Sequence, residues 1–333
     1  MAAEREKRRQ ERRDRAISER DERRAVIYAR YPRLRQIAEE RARAAREVAR
    51  LALAATEGAT PAGVEALDRR MRTLLAEERA FLVQQLLPPD IMEVRWTCQK
   101  CQDTGWIQRG DQTGSVLPPA EKCSCRVAEE IEDLYQVSNI CGPQRSYTFA
   151  AHAPSLWAGE DRAAADELFN CCRAFAEAVI AGKRRDSLVL MGDVGRGKTF
   201  FASAIANAIL QAHKLALYFT FAEFIQFSRR TKFEGEEYQT WQETLAAADV
   251  AILDDLGTEV VTDFVKAELF NVVNTRLGSG KPMVICTNMT IAQISDAYAS
   301  RIASRIVGAA DILLLSGPDL REVLRRRAQR SAG

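Results

Sequence analysis

A glycine-rich segment in the middle of the chain has the residue types and the spacing that bind phosphate groups. It reads GDVGRGKT and consists of Gly192, Asp193, Val194, Gly195, Arg196, Gly197, Lys198 and Thr199. Glycines let backbone N–H groups curl around phosphate oxygens, and the N-terminus of a following helix adds positive potential. Lys198 would contact the β- and γ-phosphates of ATP, and the Thr199 hydroxyl would bind Mg²⁺. Because an apolar run precedes the segment and an Ala-rich stretch follows it, a phosphate-binding turn is favoured over an incidental glycine turn.

Two neighbouring carboxylates fit the same chemistry. Asp254 and Asp255 follow the apolar run VAIL at residues 250–253. A buried parallel strand delivers its last side chains to the carboxyl edge of the sheet, where phosphates bind. We therefore expect Asp254 to hold Mg²⁺ through water and Asp255 to polarise the attacking water, at a position where many such ATPases carry Glu. A strand followed by an ordinary Asp-rich turn is the alternative.

Four polar residues later in the chain extend this pattern. Asn288 follows the apolar run 283–287, where it would orient the water against the γ-phosphate. Arg301 and Arg305 lie four residues apart in a predicted helix, so both would point from one face toward a neighbouring subunit. Arg321 begins a basic helix that would fold back over the phosphates. Taken singly, each arginine is more often a solvated or ion-paired surface side chain.

Four cysteines predict a metal site. They form a C-x₂-C pair and a C-x-C pair, and are Cys98, Cys101, Cys123 and Cys125. Four thiolates can close a tetrahedral Zn²⁺ site, which would supply folding energy to a segment too small for its own core. The second pair is one residue shorter than in a zinc ribbon, so Cys141 is an alternative ligand. A set of free buried cysteines is the other alternative.

A basic cluster follows the second predicted strand of the sheet. Arg229, Arg230 and Lys232 come directly after Phe224 and Phe227. Stacking by aromatic rings and neutralisation of phosphates would suit sequence-independent binding of single-stranded DNA. The alternative is that both phenylalanines are core residues of a helix. We expect the three cations to contact phosphate.

From residue 187 onward, short β-rich runs alternate with helical stretches. The predicted strands are residues 188–191, 216–219, 250–253, 283–287 and 312–315. The predicted helices are residues 199–213, 222–230, 238–247, 261–277 and 291–307. This alternation is typical of an α/β fold in which helices cover both faces of a parallel sheet.

The chain is basic at both ends and acidic between them. Residues 1–50 carry 17 basic and 10 acidic side chains, and residues 321–330 carry five and one, although the net charge is only +2. The Arg/Glu/Ala-rich N-terminal segment has high helix propensity and predicts about three helices, either solvated or packed for partner binding. We predict a charged helical region at 1–90, a zinc-binding module at 91–140 and an ATPase domain at 141–333.

Composition excludes two classes of protein. With 47% hydrophobic residues, the chain has enough apolar material for a core, which excludes wholesale disorder. No apolar run approaches the ~18 residues that a membrane-spanning helix needs. The charged N-terminus MAAEREKRRQERRDR lacks the apolar segment of a secretory signal, so we expect a cytoplasmic protein without a membrane partner.

The motifs occur in the order found in one family. The chain resembles AAA+ ATPases of the DnaC/DnaI helicase-loader type in the phosphate loop, VAILDDLG, NTR, TN, RIASR and GPDLR segments. The CQKCQDTGW, CSC and SYTF segments look like those of the zinc-bearing bacterial and phage members. The resemblance covers about residues 95–327, whereas residues 1–90 share only their helical and charged character.

This resemblance implies a fold, cofactors and residue roles. The fold would be an AAA+ P-loop domain with a five-stranded parallel sheet in the order 5-1-4-3-2 and a small helical lid. The cofactors would be ATP, Mg²⁺ and Zn²⁺. Asn288 would be sensor 1 and Arg321 sensor 2. Arg305, with Arg301 beside it, would be the arginine finger that acts on a neighbouring subunit.

The resemblance also implies partners and a function. The N-terminal helical and zinc regions would bind the replicative helicase hexamer, while the AAA+ domain self-associates on it and contacts single-stranded DNA. The protein would load the replicative helicase onto DNA during replication, with slow hydrolysis because Asp255 replaces Glu. Two alternatives stay open: an IstB-like transposition helper, against which the zinc module argues, and a nucleotide-gated adaptor that binds ATP without useful turnover.

Overall fold

The protein divides into two compact units, residues 1–127 and residues 128–333. A computed structural model describes residues 2–54, 61–108, 120–157, 160–183, 186–232 and 235–331. Within these ranges, no helix combines the length and the apolar character needed to cross a membrane. The finer division of the chain at residues 90 and 140 stays a prediction.

The described residues of the first unit include three helices and a small hairpin. The helices are α1 (Ala2–Arg30), α2 (Pro32–Ala54) and α3 (Pro61–Gln84). The hairpin pairs β1 (Trp106–Gln108) with β2 (Ala120–Lys122) in antiparallel register. The three charged helices predicted from propensity are therefore present.

Helices α2 and α3 pack against each other in antiparallel orientation. Arg33 forms an ion pair with Glu77, whereas Glu40, further along α2, pairs with Arg70, which is earlier in α3. The apolar residues buried in this unit include Ile27, Leu34, Ile37, Leu74 and Leu82. The N-terminal region is thus a packed helical unit rather than a solvated arm, because α2 and α3 bury apolar residues against each other and the end of α1 buries Ile27 with them.

The second unit contains a parallel sheet and the helices that cover it. Its strands are β3 (Ser187–Met191), β4 (Ala216–Thr220), β5 (Val250–Leu256), β6 (Met283–Thr287) and β7 (Ala310–Leu314). Its helices are α4 (Ser124–Ser138, which spans the boundary), α5 (Glu160–Ile180), α6 (Lys198–Gln211), α7 (Phe221–Thr231), α8 (Glu236–Ala247), α9 (Asp263–Ser279), α10 (Ile291–Tyr298), α11 (Ser300–Val307) and α12 (Leu320–Ser331).

The order of the strands is β4-β5-β6-β3-β7, and all neighbours are parallel. When β3 is counted as the first strand, this is the order 5-1-4-3-2 read from the β7 edge. The predicted α/β fold and strand order are therefore confirmed. Residues alternate between two buried cores: Val250 and Ile252 of β5 face one, and Ala251 and Leu253 face the other.

Local sequence signals fix where several helices begin. The side chains of Thr220 and Thr290 each accept a hydrogen bond from a backbone N–H in the first turn of α7 and α10, and form capping boxes with Glu223 and Gln293. The single helix predicted over residues 291–307 is wrong. Ala299 has a φ of 117°, which ends α10 and starts α11 one residue later.

A buried arginine joins three segments of the second unit. Arg276 of α9 is fully buried, and its guanidinium donates to the carbonyl oxygens of Leu245, Ala248 and Pro282 at 2.5, 2.9 and 2.7 Å. Burial lowers the pKa of Arg276 to about 10, so the side chain stays charged at neutral pH. It therefore holds the end of α8 and the entries to β5 and β6 on α9.

We expect Arg276→Met to lower the free energy of unfolding by about 2–4 kcal/mol, because three buried carbonyls lose their donor. Urea denaturation of the full chain measures this change. The matched control is Arg173→Met, which removes an exposed guanidinium paired with Glu177 and should cost less than about 0.5 kcal/mol. Equal losses for the two variants would contradict the structural role of Arg276.

Candidate functional site

The predicted phosphate loop connects β3 to α6 at the carboxyl edge of the sheet. Gly195 and Gly197 have φ values of 81° and 92°, in the left-handed region that side chains disfavour. A Cβ at Gly195 would lie 2.2 Å from Oδ1 of Asp319. Glycine is therefore required in this loop for two reasons: the backbone conformation, and the side chain of Asp319, which leaves no space for a Cβ at Gly195.

Lys198 is held over this loop. Its Nζ donates to the carbonyl oxygens of Gly192 and Asp193 at 2.6 and 2.8 Å, and the residue is only 7% exposed. Burial lowers the pKa of Lys198, while the nearby Asp254 and Asp255 carboxylates raise it in part. The ammonium group is thus placed beside the backbone that would surround a phosphate.

Asp254 and Asp255 have different environments although they are neighbours. Asp254 is buried and accepts hydrogen bonds from the Tyr218 hydroxyl and, at 3.0 Å, from the backbone N–H of Asp255. Asp255 is exposed to the site, with a φ of 56°. Partial burial and then the charge of Asp254 raise the pKa of Asp255, whereas Lys198 and Arg321 lower it.

A shift in strand pairing changes the direction in which these carboxylates point. The register of β5 against β6 changes between Leu253 and Leu256, which brackets both aspartates. Tyr218, on the neighbouring strand β4, was not recognised from the sequence as part of the site. An aromatic residue in an apolar strand looks like core, and only the strand pairing reveals that its hydroxyl orients Asp254.

The loop and one of the carboxylates face a common cavity of about 770 Å³. Its polar lining consists mainly of residues predicted from the sequence, namely Gly195, Arg196, Gly197, Lys198, Thr199, Asp255, Asn288 and Arg321. Val194 lines it as well, whereas Asp254 is buried behind it. A cavity lined by cations, one carboxylate and a glycine loop can bind a polyphosphate.

One wall of the cavity is aromatic and was not predicted. It includes Tyr147, His152, Trp157 and Phe200. The His152 ring lies 4.7 Å from that of Phe169 and 5.2 Å from that of Trp157, and burial lowers its pKa. An aromatic wall beside a phosphate loop can receive a nucleobase. The only sequence signal was the SYTF segment, which had no assigned role.

The start of α12 completes the site from the far end of the chain. The backbone N–H of Leu320 donates to the carbonyl oxygen of Gly195 at 2.9 Å, and Asp319 Oδ1 accepts from the backbone N–H of Arg321 at 2.9 Å. The first bond fastens the helix start to the phosphate loop, and the second caps the start of the helix itself. Arg321 therefore lines the cavity, at the location expected for a residue that folds back over phosphates.

Comparison with known proteins agrees with this geometry. Residues 178–328 match the family described as "IstB-like ATP binding protein". The matched segment contains the phosphate loop, both aspartates, Asn288 and Arg321, and it is similar to the ATP-binding domain of IstB-like proteins. The predicted recognition of the family is confirmed for this domain.

Similar proteins cover different shares of the chain. The protein is 26% identical over 251 residues to phage-like element PBSX protein XkdC of Bacillus subtilis, covering 72% of this chain and 87% of XkdC. It is 24% identical over 121 residues to replicative helicase loader DnaC of Escherichia coli, covering 36% of this chain and 49% of DnaC. A crystal structure of the DnaC helicase loader superposes with a TM-score of 0.46 at 19% identity, covering 53% of this chain and all of that chain.

In the AAA+ domain, Arg301 and Arg305 lie on one exposed face of α11, as the sequence predicted. They do not line the cavity that holds Lys198 and Asp255. Both guanidinium groups instead lie over the ring of Phe270. The structure therefore separates them from the phosphate loop of their own chain.

The three cations of the basic cluster differ in their partners and in their exposure to solvent. Lys232 forms an ion pair with Glu268, which is fully buried in the AAA+ domain and also accepts from Ser228 and Tyr238. Arg230 lies 3.7 Å from Glu237 on the surface, and Arg229 is exposed. Lys232 is therefore paired with a buried carboxylate, and its side chain is only partly exposed. Phe224 is a core residue, and Phe227 packs against the core.

The four predicted cysteines of the first unit form one group. The Sγ atoms of Cys98, Cys101, Cys123 and Cys125 all lie within 4.8 Å of one another, and this group does not include Cys141. The Sγ–Sγ distances are 3.7 Å for Cys98–Cys123 and 3.4 Å for Cys101–Cys125. Tetrahedral zinc with Zn–S bonds of about 2.3 Å requires about 3.8 Å, so the donor set fits Zn²⁺.

Backbone N–H groups contact two of these thiols, although burial raises the pKa of Cys101 and Cys125. The backbone N–H of Cys125 is the main cause that lowers the pKa of Cys123 to about 7, which favours the thiolate that metals bind. The N–H of Gly105 donates to Cys101 Sγ at 3.3 Å. Asp103 is buried and accepts from the backbone N–H groups of Thr97 and Cys98 at 2.9 and 2.8 Å, which shapes the first knuckle.

We expect the purified full chain to contain about one zinc ion per molecule and Cys123→Ser to lose it, because three thiolates hold Zn²⁺ less tightly than four. Elemental analysis after dialysis measures the metal. Cys141→Ser is the matched control and should retain the wild-type content. Zinc retention by Cys123→Ser, or loss from Cys141→Ser, would contradict this ligand set.

Proposed function

We propose that the protein is an ATP-dependent loader that places a replicative DNA helicase on single-stranded DNA during replication. The observation that carries the proposal is the shared cavity, where the phosphate loop, Asp255, Asn288 and Arg321 meet. The similarity to replicative helicase loader DnaC supports the choice among ATPase functions. The proposed partners are the helicase hexamer, single-stranded DNA and further copies of this chain.

The ATPase chemistry divides among the chain's own residues. Lys198 would neutralise the β- and γ-phosphates, while Thr199 and Asp254 would hold Mg²⁺, which supplies further charge neutralisation. Asp255 would accept a proton from the attacking water, and Asn288 would orient that water. Arg321 would stabilise the phosphates from the α12 side, because α12 is fastened to Gly195.

Arg301 and Arg305 would act on the ATP of a second copy. They are exposed and lie outside their own chain's cavity. An arginine that enters a neighbour's site stabilises the charge that develops during phosphoryl transfer, so hydrolysis becomes dependent on assembly. Arg305 is the proposed finger, with Arg301 one helical turn before it.

The first unit would select the helicase. Its packed helices present charged outer faces, and the cysteine group would hold Zn²⁺ to stabilise a module with little core of its own. Arg229 and Arg230 of the AAA+ domain would contact the phosphates of single-stranded DNA, because both are exposed. Lys232 would support this surface through Glu268.

Asp255→Asn is expected to lower ATP turnover by about 100-fold or more, because Asn cannot accept the proton of the attacking water. ATP binding should change little, since the substitution keeps the shape of the side chain. Phosphate release and titration with a fluorescent ATP analogue measure the two quantities.

Asp263→Asn controls for the loss of a carboxylate, because Asp263 is exposed and outside the cavity. In the unaltered chain, turnover should fall on acidification as Asp255 becomes protonated. The raised pKa places this loss at a higher pH than for an ordinary aspartate. Wild-type turnover by Asp255→Asn would exclude the assigned role.

Lys198→Ala should abolish ATP-dependent loading but preserve helicase binding, because the proposed helicase contact belongs to the first unit. Co-purification of the full chain with a replicative helicase, with and without ATP, measures binding. Helicase-dependent unwinding of protein-coated single-stranded templates measures loading. Lys266→Ala, at an exposed lysine outside the cavity, is the control. Loss of helicase binding with Lys198→Ala alone would place the helicase contact in the AAA+ domain instead.

A second candidate function is that of an IstB-like transposition helper, which the family match of residues 178–328 favours. The cysteine module argues for the loader. The two functions differ in partner, so capture of a transposase on DNA, with no affinity for replicative helicase, would favour the transposition helper. Undetectable phosphate release with tight ATP binding would instead favour a nucleotide-gated adaptor.

A further inference from the structure

Arg301 and Arg305 share one aromatic partner. The Cζ atoms of their guanidinium groups lie 4.6 and 5.3 Å from the centroid of the Phe270 ring. A cation over an aromatic face is attracted by the negative charge density of the ring. One phenylalanine of α9 therefore contacts both arginines of α11.

The ring is the partner that the structure provides for two mutually repelling charges. Like charges four residues apart on a helix destabilise each other. Among the residues that the structure describes, neither guanidinium makes an ion pair or a hydrogen bond. An arginine paired with a carboxylate would have to break that pair before it met a phosphate. An arginine on a neutral ring keeps its full charge and its donors.

The ring itself has a fixed position. Phe270 is half-buried and packs against the core, next to the buried Leu269 on α9. The inner face of α11 buries Ile302 and Ile306 in the same core. Because both helices are anchored in the core, the ring holds the two side chains on one side of α11. Their Cα atoms are about 6 Å apart along the helix axis.

We propose that Phe270 is a positioning residue for the arginines that act on a second copy of the chain. The inference rests on the proposed function, and it adds a residue that touches neither ATP nor its own chain's cavity. Phe270 holds the guanidinium groups of Arg301 and Arg305 over its ring, away from the carboxylates of the described residues. They meet the triphosphate of the neighbouring chain with less loss of side-chain freedom.

The first test measures side-chain order directly. Phe270→Leu keeps an apolar side chain in the core but removes the ring, whereas Phe270→Tyr keeps the ring. NMR relaxation of arginine Nε–H groups in the full chain should show that Phe270→Leu makes Arg301 and Arg305 more mobile. Phe270→Tyr should restore their order, and buried Arg276 should not change. Equal mobility in the wild type and Phe270→Leu would overturn the proposal.

The second test separates positioning from folding. A donor chain carrying Lys198→Ala is mixed with an acceptor chain carrying Arg301→Ala and Arg305→Ala, and ATP turnover is measured with poly-dT. Each chain should be inactive alone, and the mixture should recover activity. Phe270→Leu in the donor should lower the recovered turnover by about 10-fold or more. In the acceptor it should change turnover by less than about two-fold, because the acceptor's arginines are absent.

The outcomes distinguish the two proposals. If the unmodified mixture recovers no turnover, action of the arginines on a second copy is wrong, and the relaxation measurement alone decides whether Phe270 orders them. If the mixture recovers turnover and Phe270→Leu lowers it equally in either chain, the residue has a purely structural role and the positioning proposal is overturned. Thermal unfolding of each variant checks that the donor and the acceptor are folded.

Discussion

The parallel pairing of three central strands is the constraint on which the site depends. Met191, at the end of β3, pairs with Thr287 at the end of β6, so the phosphate loop and Asn288 leave the sheet at the same level. Asp254 pairs with Thr220 at the end of β4. All strands of a parallel sheet end at the same edge, so the residue that follows each strand lies at that edge. The irregular pairing of β5 with β6 adjusts the direction of the two carboxylates.

Close packing of the backbone determines how the start of α12 and Arg321 join the site. The start of α12 lies against Gly195, where a Cβ would collide with Asp319. This approach brings Arg321 to a loop that is more than a hundred positions earlier in the chain. The resulting balance of charge is local: Lys198 and Arg321 lower the pKa of Asp255, while burial and Asp254 raise it.

Three charged groups buried in the AAA+ domain have dedicated partners, since an unpaired buried charge is strongly destabilising. Arg276 has three carbonyl oxygens, Glu268 has Lys232 and two hydroxyl groups, and Asp254 has Tyr218. Groups committed in this way support the framework. Lys232 pairs with the buried Glu268, whereas Arg230 pairs with Glu237 on the surface and Arg229 is exposed.

The sequence by itself determined the chemistry and the order of the elements. The phosphate loop, the paired aspartates and the cysteine spacing can be read from short segments, because each depends only on neighbours in the chain. In the same way, apolar runs that alternate with helical stretches predict the parallel sheet. It did not reveal the break at Ala299, the role of Tyr218, the aromatic wall with His152, or the pairing of Lys232 with Glu268. The last three of these depend on residues distant in the chain. Only tertiary packing decided that Glu268 is buried with Lys232, that the Tyr218 hydroxyl meets Asp254, and that Arg301 and Arg305 share the ring of Phe270. The physical reason is that helical spacing sets the face that a side chain occupies, but not what lies opposite that face.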